Sequence, residues 1–180
     1  MARTRLARAP LLALALTSAL VAAPARAGGD EDDGPPITSL EGRVGYGLAF
    51  GGGSGASSQR ASGVTMTALV DQAVIEAPWT SIFGGIVAEG YGHGAAGVLV
   101  GARVRPSRGR LRIAGGAVGL LVPRTLFGPL ASVGGCLPID GAFGICLDLE
   151  AQLFVTGTDL PDERVAGQAQ AVLGIAFDAL

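Results

Sequence analysis

Residues 143–155 read FGICLDLEAQLFV, and their side chains alternate between two kinds. The odd-numbered positions are all apolar: Phe143, Ile145, Leu147, Leu149, Ala151, Leu153 and Val155. The even-numbered positions are mostly small or polar: Gly144, Cys146, Asp148, Glu150, Gln152 and Phe154. Successive side chains of a β-strand point to opposite sides, so the segment is predicted to be a strand with one continuous apolar face. Typical strands have about 5 to 6 residues, whereas a tilted strand that crosses a bilayer needs about 9 to 11. The length of the segment therefore predicts a transmembrane strand.

The composition of the chain agrees with this reading. The 180 residues suit one domain, 49% of them are hydrophobic, and the mean hydropathy is +0.47. Downstream of the N-terminal segment there is no apolar run of about 18 residues, so the hydrophobicity is predicted to be spread over strands. The net charge is only -2 and all 13 basic residues are arginine, which gives no basic surface for nucleic acid.

The N-terminal segment has the features of a secretory signal peptide. Arg3, Arg5 and Arg8 precede an apolar run, and Ala25 and Ala27 supply small residues at a cleavage site. We expect residues 1–27 to be a signal peptide that directs export to a bacterial cell envelope. Residues 28–40 begin GGDEDDGPP, a composition that predicts a disordered acidic linker, and residues 41–180 form the folded domain.

The rest of the chain repeats segments of about ten residues that are separated by turn signals, as transmembrane barrels do. The predicted strands are Glu41–Phe50, Val64–Glu76, Ser81–Tyr91, two strands around the turn Pro106–Gly109, Ala131–Ile139, Phe143–Val155 and Val165–Phe177. The predicted loops are Gly51–Gly63, Val122–Gly128 and Gly157–Glu163. Eight strands put both chain ends on one side, the periplasmic side.

Two hairpin registers can be predicted because they keep the apolar faces together. Around Pro106 the pairs are Val104 with Leu111, Ala102 with Ile113 and Val100 with Gly115. Around Gly141 the paired residue numbers sum to 282, which joins Ile139 with Phe143 and Leu137 with Ile145. The second register also places Cys136 opposite Cys146. We expect a structural disulfide there, with a redox switch as the alternative, since an exported protein meets an oxidising compartment.

This pattern resembles the small eight-stranded outer-membrane β-barrel proteins, such as the transmembrane domain of outer membrane protein A. The resemblance covers roughly Glu41 to Leu180 and rests on strand pattern. It implies an all-β, antiparallel up-and-down barrel in the bacterial outer membrane. Outer-membrane lipid and the assembly machinery are the implied partners, and we expect a monomer. The last strand of such proteins usually ends on an aromatic residue, whereas here Phe177 is near the end and Leu180 is terminal.

The same alternation would fit a soluble secreted or periplasmic lipocalin-like barrel, turned inside out, that binds a small apolar ligand. Two features favour the membrane barrel. The polar face is rich in small residues that suit a narrow interior: Gly45, Gly47, Ala49, Gly101, Gly134, Gly144 and Gly174. The apolar face carries no charged residue, which fits a lipid environment.

The charged residues of the polar face are the candidate functional site. In a membrane barrel the following share the lumen: Arg43, Asp71, Glu89, Arg103, Arg112, Asp148 and Glu150. Buried charges must pair, so we expect a plug of salt bridges, with a narrow ion path as the alternative. Arg103 and Arg112 are predicted to face each other across their hairpin, and Glu89 on the neighbouring strand is the first candidate partner.

We expect no enzyme, metal site or cofactor. His93 is the only histidine, it lies in the predicted turn Gly92–Gly94, and no serine or acid stands at a spacing that would form a nucleophile pair. One histidine and two cysteines do not make a metal site. The glycine-rich run Gly51–Gly55 lacks the lysine and helix of a phosphate-binding loop. A structural or interaction role in the outer membrane is what the sequence predicts.

Overall fold

The computed structural model describes residues 38–53, 56–61, 63–74, 77–90, 94–107, 111–123, 125–140, 142–158, 160 and 165–178. The predicted signal peptide, residues 28–37 of the acidic linker and His93 lie outside the described residues. Within the described part of the chain no helix is long and apolar enough to cross a membrane.

Nine antiparallel strand segments make up the described fold. They are β1 (Thr38–Gly53), β2 (Ala56–Ala61), β3 (Val64–Val74), β4 (Ala77–Gly90), β5 (Ala95–Ser107), β6 (Leu111–Val122), β7 (Leu126–Asp140), β8 (Phe143–Phe154) and β9 (Val165–Asp178). Both β2 and β3 pair with β1, one after the other along its length, so together they occupy a single place in the sheet. The barrel therefore has eight strands around its wall.

The sheet is closed by the first and last strands. β1 and β9 pair from Ser39 opposite Asp178 to Gly52 opposite Val165. Closure leaves each barrel strand paired on both sides, as a bilayer requires of any spanning sheet. We call the end that carries Thr38, Asp178 and the turns after β3, β5 and β7 the terminal end, and the opposite end the loop end.

The distribution of side chains between the two faces is the reverse of that in a water-soluble protein. Among the residues whose burial is described, thirty large hydrophobic side chains are exposed, including Leu147, Leu149 and Ile175, against eleven buried hydrophobic residues. No charged residue whose burial is described is exposed: Arg105 and Asp178 are half-buried and the rest are buried. Such an exterior needs an apolar surrounding.

The interior is narrow, and several inward-facing glycines make room for their neighbours. A Cβ atom on Gly45 would lie 2.5 Å from Thr65 Oγ1, and one on Gly174 would lie 2.8 Å from Glu41 Oε1. A Cβ atom on Gly134 would overlap both Asp148 and the backbone of Leu147. These glycines have the packing role that the sequence predicts for them.

The predicted strand bounds need correction at several points. β1 begins at Thr38, three residues before the predicted start, and strand structure occupies Gly51–Gly53 and Ala56–Ala61 of the predicted loop. β7 begins at Leu126, within the second predicted loop. These segments are rich in glycine, serine or proline, and backbone pairing to β1 and β6 decides their structure in place of local preference.

The β5–β6 register differs by two residues from the prediction. Val104 pairs with Ile113, Ala102 with Gly115 and Val100 with Ala117. Next to the turn, Ser107 pairs with Leu111, so Arg105 and Pro106 together lie opposite Arg112. This is a β-bulge, and Pro106 suits it because proline has no N–H to donate to the ladder. A shift of two leaves every side chain on its predicted face.

The β7–β8 register is as predicted from Leu130 to Pro138, including Cys136 opposite Cys146 and Val133 opposite Leu149. The last predicted pair is wrong. Phe143 pairs with Asp140, and Ile139 is left as an extra residue beside the turn. Ile139 follows Pro138, whose missing N–H interrupts the ladder at that point.

Candidate functional site: the charge network of the lumen

Glu41 joins three arginines of the lumen. Its carboxylate accepts hydrogen bonds from Arg112 Nη1 at 3.0 Å and Nη2 at 2.6 Å, and from Arg103 Nη2 at 3.1 Å. Arg43 Nε lies 3.6 Å from Glu41 Oε1. Because Glu41 is on β1 whereas Arg103 and Arg112 are on β5 and β6, the bonds from these two arginines cross the interior of the barrel.

Arg112 lies between two carboxylates and forms a bidentate salt bridge with each. Besides its bonds to Glu41, its Nε donates to Asp148 Oδ1 at 2.7 Å and its Nη2 donates to Asp148 Oδ2. Bidentate salt bridges of this kind are strong, and they fix the plane of the guanidinium group. Arg112 therefore ties β6 to both β1 and β8.

Arg43 extends the network along β8. Its Nη2 donates to Glu150 Oε2 at 2.7 Å and to Asp148 Oδ2 at 3.3 Å. Glu150 in turn accepts a bond of 2.7 Å from Gln152, which accepts one of 3.0 Å from Gln168. The ion pairs thus pass into a row of buried amides that runs toward the loop end.

The network ends on β3. Arg103 Nη1 donates to Asp71 Oδ2, and Arg105 Nη2 lies 3.5 Å from the same oxygen. Four arginines and four carboxylates are then linked: Arg43, Arg103, Arg105 and Arg112 with Glu41, Asp71, Asp148 and Glu150. Their formal charges cancel (4 − 4 = 0), which is what a poorly solvated interior demands.

All seven predicted lumen charges are buried, but they are not all paired as expected. Arg103 has Asp71 and Glu41 as its carboxylate partners, in place of the predicted Glu89. Arg103 lies opposite Ala114, so it does not face Arg112 directly. Glu89 is buried further along β4, where it pairs with Thr65 and Ala95 in the ladder.

Glu41 and Arg105 are the two charged members of the network that the sequence prediction missed. The signal was available: Glu41 and Arg43 are two residues apart on one strand, so their side chains lie on the same face. The predicted strand begins at Glu41, and a residue at a strand end need not face the lumen. In the structure β1 begins earlier and Glu41 is only 3% exposed.

A cluster of buried apolar side chains lies inside the barrel next to the charge network. The buried cluster comprises Leu69, Phe83, Val87, Leu99, Ala114, Val118, Leu120, Leu130 and Phe154. It meets the charge network at Phe83, where the Arg103 guanidinium lies 5.3 Å from the ring centre. The buried apolar cluster and the charge network are therefore in contact.

Cys136 and Cys146 are joined by a disulfide between β7 and β8. Cys146 is fully buried and lies two residues before Asp148, on the same face of β8. The bond therefore joins the two strands beside the anchor point of Arg112. Neither cysteine is available as a free thiol.

No protein-family model matches the chain, and no curated protein matches its sequence at a significant level. Among solved structures, the crystal structure of Neisserial surface protein A superposes with a TM-score of 0.55. The alignment covers 81% of this chain and 99% of that chain, at 8% identity. The chain has the fold of the small eight-stranded outer-membrane β-barrels.

Two structures of the attachment invasion locus protein Ail of Yersinia pestis are also similar to this barrel. One aligns with a TM-score of 0.45 at 12% identity, over 77% of this chain and 98% of that chain. The other, a complex with the heparin analogue sucrose octasulfate, has a TM-score of 0.46 at 13% identity, over 78% and 99%. No cluster of metal-binding side chains occurs among the residues described for the present barrel.

Proposed function

We propose that this protein is a bacterial outer-membrane β-barrel with a structural or interaction role, and that its lumen is plugged. The observation that carries this proposal is the inverted polarity of the barrel. Large apolar side chains cover the outside, and every charged side chain whose burial is described is buried or half-buried. A lipocalin-like barrel would need a polar exterior, so this distribution opposes that alternative.

The positions of aromatic residues support a membrane setting. At the terminal end, Phe143 is exposed on the outer face, and its ring lies 4.9 Å from that of Phe177. Toward the loop end, Phe50 and Phe127 are exposed on the outer face. Transmembrane barrels carry girdles of aromatic residues at both interfaces, with an apolar band between them.

The plug is supported by the bonds that cross the lumen. Arg112 and Arg103 reach Glu41 from the opposite wall, and the Phe83 ring of the buried apolar cluster packs against Arg103. The interior of an eight-stranded barrel is just wide enough for side chains to fill it. With the interior so filled, we propose that the barrel does not conduct ions and that its contribution is made at its surfaces.

An interaction role would be carried by the loop end. Neisserial surface protein A is by its name a surface protein. With both chain ends on the periplasmic side, the present barrel would direct the ends of β1, β4, β6 and β8 outward. We further propose that the outer-membrane assembly machinery inserts the chain as a monomer and that outer-membrane lipid surrounds it. No catalytic step is part of this proposal.

Conductance in a planar lipid bilayer tests the plug. The mature chain, refolded in detergent and reconstituted, should give no stable channel. Glu41→Ala combined with Arg112→Ala should open a leak, because both ends of one cross-lumen bond are removed. Met66→Leu, on the outer face, is the matched control and should stay closed. Steady conductance of the unaltered barrel would disprove the plug.

A further inference from the structure

Three buried polar atoms on neighbouring strands make no hydrogen bond to any other described residue. They are Asp71 Oδ1 on β3, Ser81 Oγ on β4 and Arg103 Nε on β5. The three residues are only 2%, 5% and 3% exposed. Buried polar groups almost always have a hydrogen-bond partner, so three unpartnered atoms at one place require an explanation.

The three atoms lie on one patch of the inner wall. Ser81 is directly opposite Arg103 in the β4–β5 ladder, and Asp71 is opposite Phe83, two residues from Ser81 on the same face. Arg103 Nη1 bonds Asp71 Oδ2, so the unpartnered Nε and Oδ1 are the remaining atoms of this ion pair. Side chains of directly opposed strand residues are close enough to share a small ligand.

The chemistry of the patch selects a neutral ligand. Asp71 Oδ1 can only accept a hydrogen bond, Arg103 Nε can only donate one, and the Ser81 hydroxyl can do either. An anion would be held against the Asp71 carboxylate, and a cation would be held against the guanidinium groups of Arg103 and Arg105. A water molecule accepts from Arg103, donates to Asp71 and has capacity left for Ser81.

We propose that Asp71, Ser81 and Arg103 form a binding site for one ordered water molecule inside the barrel. Buried waters typically make about three hydrogen bonds to groups that would otherwise be unsatisfied, which is the number offered here.

The site lies between the solvent-accessible terminal end of the barrel and the buried residues further inside it. On the terminal side, the Arg105 side chain is 19% exposed and its guanidinium reaches Asp71. On the other side, the buried Phe83 ring lies beneath the Arg103 guanidinium. Water can therefore enter from the terminal end, and Phe83 limits how far it reaches.

A crystal structure of the mature chain in detergent, at a resolution that reveals ordered solvent, tests the site. We expect a solvent peak within hydrogen-bond distance of all three atoms. Ser81→Ala should keep the peak, since Asp71 and Arg103 still hold it. Ser81→Val should lose it, because the larger side chain fills the space, and should unfold at a lower urea concentration than Ser81→Ala.

Two results would overturn the proposal. In one, the unaltered barrel shows no solvent peak and Arg103 Nε bonds Asp71 Oδ1 directly, which would satisfy both atoms without a ligand. In the other, crystals soaked in bromide show an anomalous peak at the patch, which would identify an anion site. Both are read from the unaltered protein, so they do not depend on whether Ser81→Val folds.

Discussion

At the scale of single residues, Glu41 has more influence on the lumen than its place near the start of β1 suggests. Its two oxygens accept bonds from guanidinium groups that project from β5 and β6. Without this carboxylate, Arg103 and Arg112 would keep one acidic partner each, Asp71 and Asp148. The balance of four positive and four negative groups would also be lost.

Replacing Glu41 by glutamine therefore tests the network at its most connected acid. The amide keeps the shape of the side chain but not its charge, and removing one partner of a buried pair typically costs about 3 to 5 kcal/mol. We expect Glu41→Gln to lower the free energy of unfolding by that amount in urea titrations of the refolded barrel. Asp178→Asn, which removes the same charge from the half-buried end of β9, is the control and should change little. If the two changes lowered the free energy of unfolding equally, the salt bridges of Glu41 would not stabilise the barrel more than a half-buried acid at a strand end does.

For seven charged residues the sequence predicts the inner face correctly, but it does not predict their partners. Period-two alternation places Arg43, Asp71 and Arg103 on the inner face, and all three are buried. The pairing of Arg103 with Glu41 depends on how the strands are staggered around the barrel. That stagger results from closure between β1 and β9, which are separated by almost the whole domain, and no local pattern encodes it.

At the scale of strands, sequence patterns determine sidedness better than register. The β5–β6 prediction was displaced by two residues, yet both faces were right, because side chains repeat every two residues. In β7–β8, pairing Cys136 with Cys146 fixes the register, which alternation alone leaves open by steps of two residues. The predicted register is correct there up to the turn. The irregularity next to Pro138 accounts for the one wrong pair of β7–β8, whereas the β5–β6 displacement extends along both strands and is not confined to the bulge at Pro106.

The sidedness of β8 can be tested by placing one charge on each face. Leu149 is 65% exposed on the outer face, and Gln152 is 4% exposed next to Glu150. Near the bilayer midplane an outward arginine costs about 2 to 4 kcal/mol, so Leu149→Arg should block assembly or lower stability by this amount. Gln152→Arg can pair with Glu150 and should be tolerated better. Recovery of folded protein, measured as the unheated band on a gel, reports the difference; equal recovery would refute the assigned faces.

The disulfide between β7 and β8 is expected to support the barrel without being essential to it. It closes a short loop, with a sequence separation of 10, and the chain-entropy model gives such loops about 3 kcal/mol at most. Changing both cysteines to alanine should leave the fold intact, because neighbouring ladder pairs remain, and should reduce the urea midpoint. Failure of the double variant to fold would contradict this reading.

Alkylation of unreduced, denatured protein checks the bond itself: two labelled thiols would show that it does not form.

At the scale of the whole molecule, the charge network reinforces the closing seam of the barrel. Arg43 on β1 bonds Glu150 on β8, which is not its neighbour in the sheet but lies beyond β9. Thr65 on β3 likewise bonds Gln170 on β9 at 2.6 Å, across β1. These contacts need β1 and β9 to be close together, so they stabilise the closed barrel and not an open sheet.

The inverted distribution of side chains leads to a prediction for the whole protein. Because the outer face carries its large apolar residues in a continuous band, water cannot solvate the folded barrel without exposing that band. The mature chain should fractionate with the envelope, require detergent for extraction, and migrate differently on a gel when it is not boiled. The boiled sample serves as the unfolded reference.

Reducing the disulfide without heating should leave the folded band in place, since the backbone ladder and the lumen network hold the barrel closed. Recovery of the mature chain as a folded species from a detergent-free periplasmic extract would contradict a membrane barrel, because it would mean that the exposed apolar face is covered by something other than lipid.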